Sequence, residues 1–263
     1  LDASAAGELL EGLRRVYFGE FGSSPSSASF AKRRRAAADA VEQVRKGTER
    51  QQAAALALLL GASLKEAGIE AARLVADPAT SNAVRQDAFR IQLLSETRIG
   101  GQKLAKAALV GNDESLRLPA IKYLTEGGDS MRVVRGGTFY LYFNNPAIDR
   151  GSSVETGQPI KVTAPSGLTA EPLKPMLDDK DPRIAAEAGY LLATLKDPAG
   201  IDKLVQYWRE QARNDDVMRR LVYRAIAALD DESRAPILEE VYKTYRKDDY
   251  GLREFYWTIR DMS

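Results

Sequence analysis

The sequence predicts an all-α fold: a superhelical stack of helix pairs, an α-solenoid, with a non-helical insertion around residues 136–167. Two observations carry this. A five-residue pattern recurs at 84–88, 116–120, 184–188, 218–222 and 252–256. With 85, 117, 185, 219 and 253 as the frame, the steps are 32, 68, 34 and 34 residues, the 68 being two periods. Self-similarity near 34 residues marks an array of two-helix units, none able to bury its apolar face alone. The second observation is helical spacing of apolar residues on both sides of the insertion, and its failure within it.

The elements follow in order. Residues 5–18 place Leu9, Leu10, Leu13, Val16 and Tyr17 on one stripe, and the run Gly22-Ser23-Ser24-Pro25-Ser26-Ser27 reads as a flexible joint. Residues 1–29 therefore form a helix and linker that either cap the stack or hang loose to find a partner. Residues 30–135 are the N-terminal repeats. Ala37, Val41 and Val44 make one stripe, and 51–60 is apolar nearly all round, as suits a helix held between neighbours. Leu64, Ala67, Ala71, Leu74 and Val75 make the next stripe, ended by Asp77-Pro78. Val84, Ala88, Ile91 and Leu94 face it. Leu104, Ala107 and Ala108 then pair with Leu116, Ala120, Ile121 and Leu124.

The array breaks between Gly127-Gly128 and Leu168. Residues 138–143 read Thr-Phe-Tyr-Leu-Tyr-Phe and 160–163 read Ile-Lys-Val-Thr, both strand-like, around an Asn-Asn-Pro turn. A degenerate repeat carrying a hairpin or long loop is expected over 136–167. Residues 168–263 resume the period. Leu173, Met176 and Leu177 precede Asp181-Pro182, and then Ile184, Ala188, Leu191 and Leu195 line up. Ile201, Leu204, Val205 and Trp208 pair with Val217, Leu221, Ala225 and Leu229. Ile237, Val241, Tyr242 and Tyr245 are followed by Leu252, Phe255, Tyr256 and Ile259.

Composition removes several chemistries. The 263 residues contain no cysteine and no histidine, which excludes disulfides, thiolate nucleophiles, Cys/His zinc sites and imidazole acid–base catalysis. Lys and Arg number 38 against 37 Asp and Glu, so the chain lacks the basic excess of a dedicated nucleic-acid binder. Lys32-Arg33-Arg34-Arg35 is the one basic run, and it reads as a solvated helix start or an anion contact. No apolar run approaches the roughly 20 residues of a membrane span. A start at Leu1 rather than Met implies a trimmed chain, and with the lack of cysteine it points towards an exported or periplasmic protein. Neither a phosphate-binding glycine loop nor a nucleophile elbow occurs, and no cofactor or metal is expected. The pairs Asp178-Asp179, Asp215-Asp216, Asp230-Asp231 and Asp248-Asp249 fall at helix junctions. Adjacent acids point apart, so capping of helix amides is expected there.

The block 173–188, Leu-Lys-Pro-Met-Leu-Asp-Asp-Lys-Asp-Pro-Arg-Ile-Ala-Ala-Glu-Ala, resembles a HEAT repeat of the short phycocyanobilin-lyase type. The resemblance extends over roughly 50–125 and 168–263. It implies that helix A ends in an acidic turn with Asp-Pro and that helix B opens with an apolar residue and Arg. Arg85, Arg117, Arg219 or Arg220, and Arg253 match that Arg, whereas position 185 is Ala. Asp77-Pro78 matches loosely, and Asp113, Asp215-Asp216 and Asp248-Asp249 keep the acid without the Pro. Such an Arg is expected to reach the acidic turn of the next repeat. The fold implied is a HEAT-like, armadillo-type superhelix. The function implied is a non-catalytic protein-binding scaffold, part of a longer chain, whose partner is another protein or another domain of the same polypeptide. The alternative is a HEAT-like enzyme or DNA-binding protein of glycosylase or lyase type.

Candidate contact residues follow from the break in the array. Phe139, Tyr140, Tyr142 and Phe143 are four of the 20 aromatics within five positions. They form an interaction loop or else plug the gap left by a missing helix. Arg183, Glu187 and Arg224 are expected as exposed helix B residues on the concave face, and Trp257 as an off-core aromatic at the C-terminal end, beside a core of Leu252, Phe255 and Tyr256.

Overall fold

The computed structural model describes residues 27–125, 164–230, 232–245, 252, 255 and 256. All regular structure among the described residues is helical. Ten α-helices occur there: α1 Ser27–Lys46, α2 Glu49–Ala62, α3 Leu64–Ala76, α4 Asn82–Ser95, α5 Arg98–Val110, α6 Arg117–Thr125, α7 Pro182–Thr194, α8 Ile201–Gln211, α9 Asp216–Leu229 and α10 Ala235–Thr244. Single 3-10 turns lie at Glu114–Leu116, Lys174–Asp178 and Glu232–Arg234. The strand-like runs at 138–143 and 160–163 lie outside the described residues, as do the aromatics 139, 140, 142 and 143. The end of the expected insertion, 164–167, is a turn, with Gly167 at φ +66° and the Ser166 carbonyl accepting from Lys106 Nζ at 2.9 Å.

The chain forms two compact units whose boundary falls within α5, after Leu104. In the first, α1 packs on α2 and α3 on α4, with α2 between the pairs. The expected stripes make its core: Ala37 and Val44, Leu56 and Leu59, Ala67, Ala71 and Leu74, Val84, Ala88 and Ile91 are buried together. Val41, Val75 and Leu94 are packed at its edge. Short side chains dominate here, which lets the helices approach closely. Ends are capped as the composition invites. Thr48 and Gln51 form a capping box on α2, Ser63 closes α2 and caps α3, and Ser81 caps α4.

A buried carboxyl lies inside this unit. Glu70 on α3 is 2% exposed, and both its oxygens are used. Arg45 of α1 donates to Oε1 from Nε at 2.9 Å and from Nη2 at 2.5 Å, and Arg73 Nε donates to Oε2 at 3.0 Å. Burial alone would raise this carboxyl, but the hydrogen bonds from Arg45 and Arg73 outweigh it and hold the group below the ordinary glutamate value.

In the second unit α6, α7 and α9 form one row of B helices, with α6 against α7 and α7 against α9. The A elements are the 3-10 turn Lys174–Asp178, α8 and α10. A full helix was expected at the first of these. Pro172 and Pro175 remove two amide donors three residues apart, and Pro175 would clash with the Glu171 carbonyl in an α-helix. The segment shrinks to a 3-10 turn that still buries Leu173 and Met176. Along the A side, Arg209 of α8 grips Glu240 of α10 at 2.6 Å, and Arg234 reaches Asp202 at 3.5 Å.

Three stripes differ from expectation. On α5 the buried positions are Gly101, Gln102, Ala105 and Leu109, with Ala107 exposed, so the stripe is rotated from the expected 104, 107 and 108. Tyr242, on the expected apolar stripe of α10, is 53% exposed, and Tyr256, expected in the core, is 63% exposed. Phe255, one residue and about 100° of helix away from Tyr256, takes the inner place against Tyr223, Tyr242 and Tyr245. Trp257 and Ile259 lie outside the described residues.

Of the acid pairs, Asp178-Asp179 and Asp215-Asp216 each supply one cap, and Asp248-Asp249 lie outside the described residues. Asp181, Asp215 and Asp113 accept amides of the turns they precede. Asp179 closes the 3-10 turn and accepts from the Asp181 amide. Asp230 departs from the pattern. It ends α9 in a left-handed conformation, φ 54°, which Asp tolerates better than most residues. The Arg ladder holds in part: Arg117 lies 3.8 Å from Asp179 of the following turn, and Arg219 donates to the Thr244 carbonyl at 2.6 Å. Arg85 instead folds back onto its own turn, donating to the carbonyls of Asp77, Pro78 and Thr80.

Because the Glu70 carboxyl is held below its ordinary value, its contribution is present above pH 4.5 and is lost as pH falls through the folded-state value. Glu70→Gln is expected to cost about 2 kcal/mol at pH 7. The gap to the parent should close progressively below pH 4.5 in urea unfolding curves.

Candidate interaction site

The centre of the second unit is α7. Its start is set by Asp181, whose Oδ1 accepts the Arg183 amide at 2.9 Å, and by Pro182 in the first turn, where a missing amide costs nothing. From 184 to 194 every residue is buried. The helix has α6 and α9 beside it in its own row, and α8 and the 3-10 turn across from it.

The crossing with α8 is close because two glycines meet. Gly200, the N-cap of α8, has φ +85°, a conformation that disfavours a side chain. A Cβ on Gly189 would overlap the Gly200 carbonyl, and one on Gly200 would overlap Leu177. This approach sets the geometry of a groove further along the two helices. The groove has a volume of about 350 Å³ and is lined by Leu177, Asp178, Asp179, Pro182, Ala185, Lys203, Gln206, Tyr207, Glu210 and Gln211. Leu177, Pro182 and Ala185 are its apolar lining residues, and the other seven carry polar groups. Asp179 is committed to Arg117 and to the Asp181 amide. Asp178 is 89% exposed at 3.9 Å from Lys203. Burial raises the Tyr207 phenol, so it stays a neutral hydroxyl through the physiological range.

On the B row a second polar feature is closed off. Glu187 is 1% exposed: Arg183 Nε donates to its Oε1 at 3.0 Å, and the Thr125 hydroxyl lies 3.0 Å from Oε2. Burial pushes this carboxyl up, against the pull of Arg183, Lys122 and Thr125. Arg224 of α9 is 7% exposed and hydrogen-bonded to Tyr223 and Tyr190.

Two candidate contact residues are thereby corrected. Glu187 and Arg224 were expected on an exposed concave face, but they bind neighbouring B helices, Thr125 and Tyr190 respectively. The repeat pattern places them on the helix B face, and adjacent B helices close over that face at α7. Among the described residues, Arg183 is the expected contact residue that keeps partial exposure, 28% of its side chain. Phe139, Tyr140, Tyr142, Phe143 and Trp257 lie outside the described residues. Sequence reading missed the groove. Its signal was the polar side of α8, where Lys203, Gln206, Tyr207 and Glu210 follow 3-4 spacing opposite a stripe that was read for its core alone.

Residues 170–251 match the family model for HEAT repeats. This segment is a HEAT-repeat array. It runs from the proline-broken A turn through α10, and so holds α7, α8, α9 and the groove. The match does not single out the short lyase-type kind. HEAT repeats commonly serve as protein-interaction scaffolds. Among curated proteins and among solved structures, nothing matches the chain. No helix among the described residues is long and apolar enough to cross a membrane, and no three acidic side chains there converge as a metal site would need.

The glycine crossing makes the groove sensitive to one methyl group. Gly189→Ala is expected to destabilise by about 2 kcal/mol through overpacking. Gly200→Ala should cost about 3 kcal/mol, since strain at positive φ adds to the overlap with Leu177. Chemical denaturation of the two variants checks both the losses and their order.

Proposed function

We propose that this chain is a non-catalytic docking scaffold that holds an extended, basic segment of another protein or domain in the groove between the first turn of α7 and the polar face of α8. The observation that supports this most directly is the groove's composition on a rigid base. Positions on helices are held more precisely than positions on loops. A space of about 350 Å³ fits a few side chains rather than a folded domain. Asp178 and Glu210 are exposed acids against the single Lys203, which favours Lys or Arg in the occupant. Gln206 and Gln211 offer amides to a peptide backbone, and Tyr207 offers a flat ring with a neutral hydroxyl. Arg183, partly exposed beside this turn, takes acidic groups of the same partner at the edge.

The aromatic run 139–143 enters the same proposal as an added contact loop, with the gap-filling plug as its rival. The two readings differ in what a deletion does. Removing 138–163 abolishes binding and leaves far-UV circular dichroism unchanged if the run is a loop, and lowers helical content if it is a plug.

The groove is tested with a panel of fluorescent twelve-residue peptides, basic, acidic and neutral, titrated against the full chain by anisotropy. Basic peptides are expected to bind best. Glu210→Lys and Tyr207→Ala should each weaken that binding about tenfold, or 1.4 kcal/mol, without changing the unfolding midpoint. Equal binding by the three peptide classes, or indifference to both substitutions, would remove the groove from the docking surface.

A further inference from the structure

The helix that carries the charged residues of the groove also sets their spacing. Lys203 and Glu210 stand seven residues apart on α8, two full turns, so they share a face about 10 Å apart along the axis. Asp178, at the end of the 3-10 turn, comes within 3.9 Å of Lys203 and so marks the same level of the groove. Asp178 and Glu210 therefore lie about 10 Å apart along it. Asp179 does not join them, because Arg117 and the Asp181 amide hold it. Glu210 is positioned from one side, where the Gln206 amide donates to its Oε1 at 3.1 Å. Tyr207 falls between the two acids, four residues after Lys203 and three before Glu210, and is partly buried.

We infer that the groove selects a polyproline II segment with two basic residues three positions apart, one meeting Asp178 and the other Glu210. This rests on the docking role proposed for the groove and narrows it to one backbone form. A β-strand turns alternate residues to one side, so residues on that side recur at about 6.6 Å and about 13 Å. Neither matches the acids. Polyproline II has three residues per turn and a rise of about 3.1 Å, which brings i and i+3 to one face about 9 Å apart. An α-helix places i and i+7 at the right distance, but a cylinder about 10 Å wide and equally long fills about 800 Å³. That is more than twice the groove volume of about 350 Å³. The lining side chains suit the narrower form. A polyproline II backbone makes no hydrogen bonds of its own, so its carbonyls are open to the second amide proton of Gln206 and to Gln211. The Tyr207 ring offers a surface to a proline at one of the two intervening positions. Lys203 opposes the occupant. Its pair with Asp178 is long and both side chains are exposed, 51% and 89%, so an entering cation replaces it at little cost.

The test uses twelve-residue fluorescent peptides in one proline–alanine background. Three carry two ornithines, at i and i+2, i and i+3, or i and i+4, and a fourth carries none. The short ornithine stem keeps the side chains from absorbing the difference in spacing. Each peptide is titrated against the full chain by anisotropy at low salt, where exposed charges are least screened. The i, i+3 peptide should bind about threefold tighter than the other two spacings, the gain of one exposed charge contact. Asp178→Asn and Glu210→Gln should each remove that preference, and Lys203→Gln should tighten the i, i+3 peptide about threefold. All three side chains face solvent, so the unfolding midpoints should not move, and the spacing series on the parent decides alone if a variant fails to fold. Ornithine peptides that bind alike, but better than the fourth, overturn the spacing rule and leave the docking groove in place. A preference for i+2 or i+4, or an i+3 preference that survives both acid variants, overturns it as well. If no ornithine peptide exceeds the fourth, the docking reading itself fails and takes this inference with it.

Discussion

Burial of α7 on every side is the constraint on which the C-terminal unit rests. A helix with one apolar stripe can shed water from half its surface and leave the rest to solvent. One enclosed by α6, α8, α9 and a 3-10 turn must satisfy each neighbour at once. The composition of α7 is the solution: Ala185, Ala186, Ala188, Gly189 and Ala193 keep the backbone close to its surroundings. The larger Ile184, Tyr190, Leu191 and Leu192 fill what remains. Polar groups on such a helix need partners inside the protein, and Glu187 finds them in Arg183 and Thr125. The same enclosure explains why the groove lies at the start of α7, because only its first turn, at Pro182 and Ala185, reaches an open edge.

How much of this was legible in the chain depends on which physical signal a feature carries. The period near 34 residues shows the B helices because Arg and small residues recur in register: the four framed positions among the described residues, 85, 117, 185 and 219, are all helical, and 253 lies outside them. Asp181 and Asp215 were readable as caps because a carboxylate before a helix has one dominant use. The A element at 174–178 was misjudged because its apolar spacing is helical while two prolines forbid the α-helix, and the covalent restriction wins over the pattern. Residues 104, 107 and 108 were misphased because α5 is rich in Ala and Gly, which carry little information about the buried side.

The misplacement of Glu187 and Arg224 has a different origin. Periodicity reports which face a residue shares, and charge suggests that the face is wet. Both inferences hold for an isolated helix pair. They fail in a stack, where a polar residue on the inner row can be met by a polar residue one repeat away. Thr125 precedes Glu187 by 62 positions, so no local window joins them. The ion pair of Glu70 with Arg45, 25 positions apart, was hidden for the same reason.

Both buried carboxylates sit between helices, yet they respond to burial in opposite directions, and the difference is the number and kind of donors. Glu70 receives two guanidinium groups, one of them through two nitrogens, and stays below its ordinary value. Glu187 receives one guanidinium and faces a hydroxyl, which can donate or accept. A carboxylate ringed by cations is a fixed tie whose protonation would leave buried charge uncompensated. A carboxylate facing an ambivalent hydroxyl has a hydrogen-bonded arrangement in either protonation state. The first therefore ties α1 to α3 as an ion pair, while burial pushes the second toward its neutral form at the α6–α7 contact.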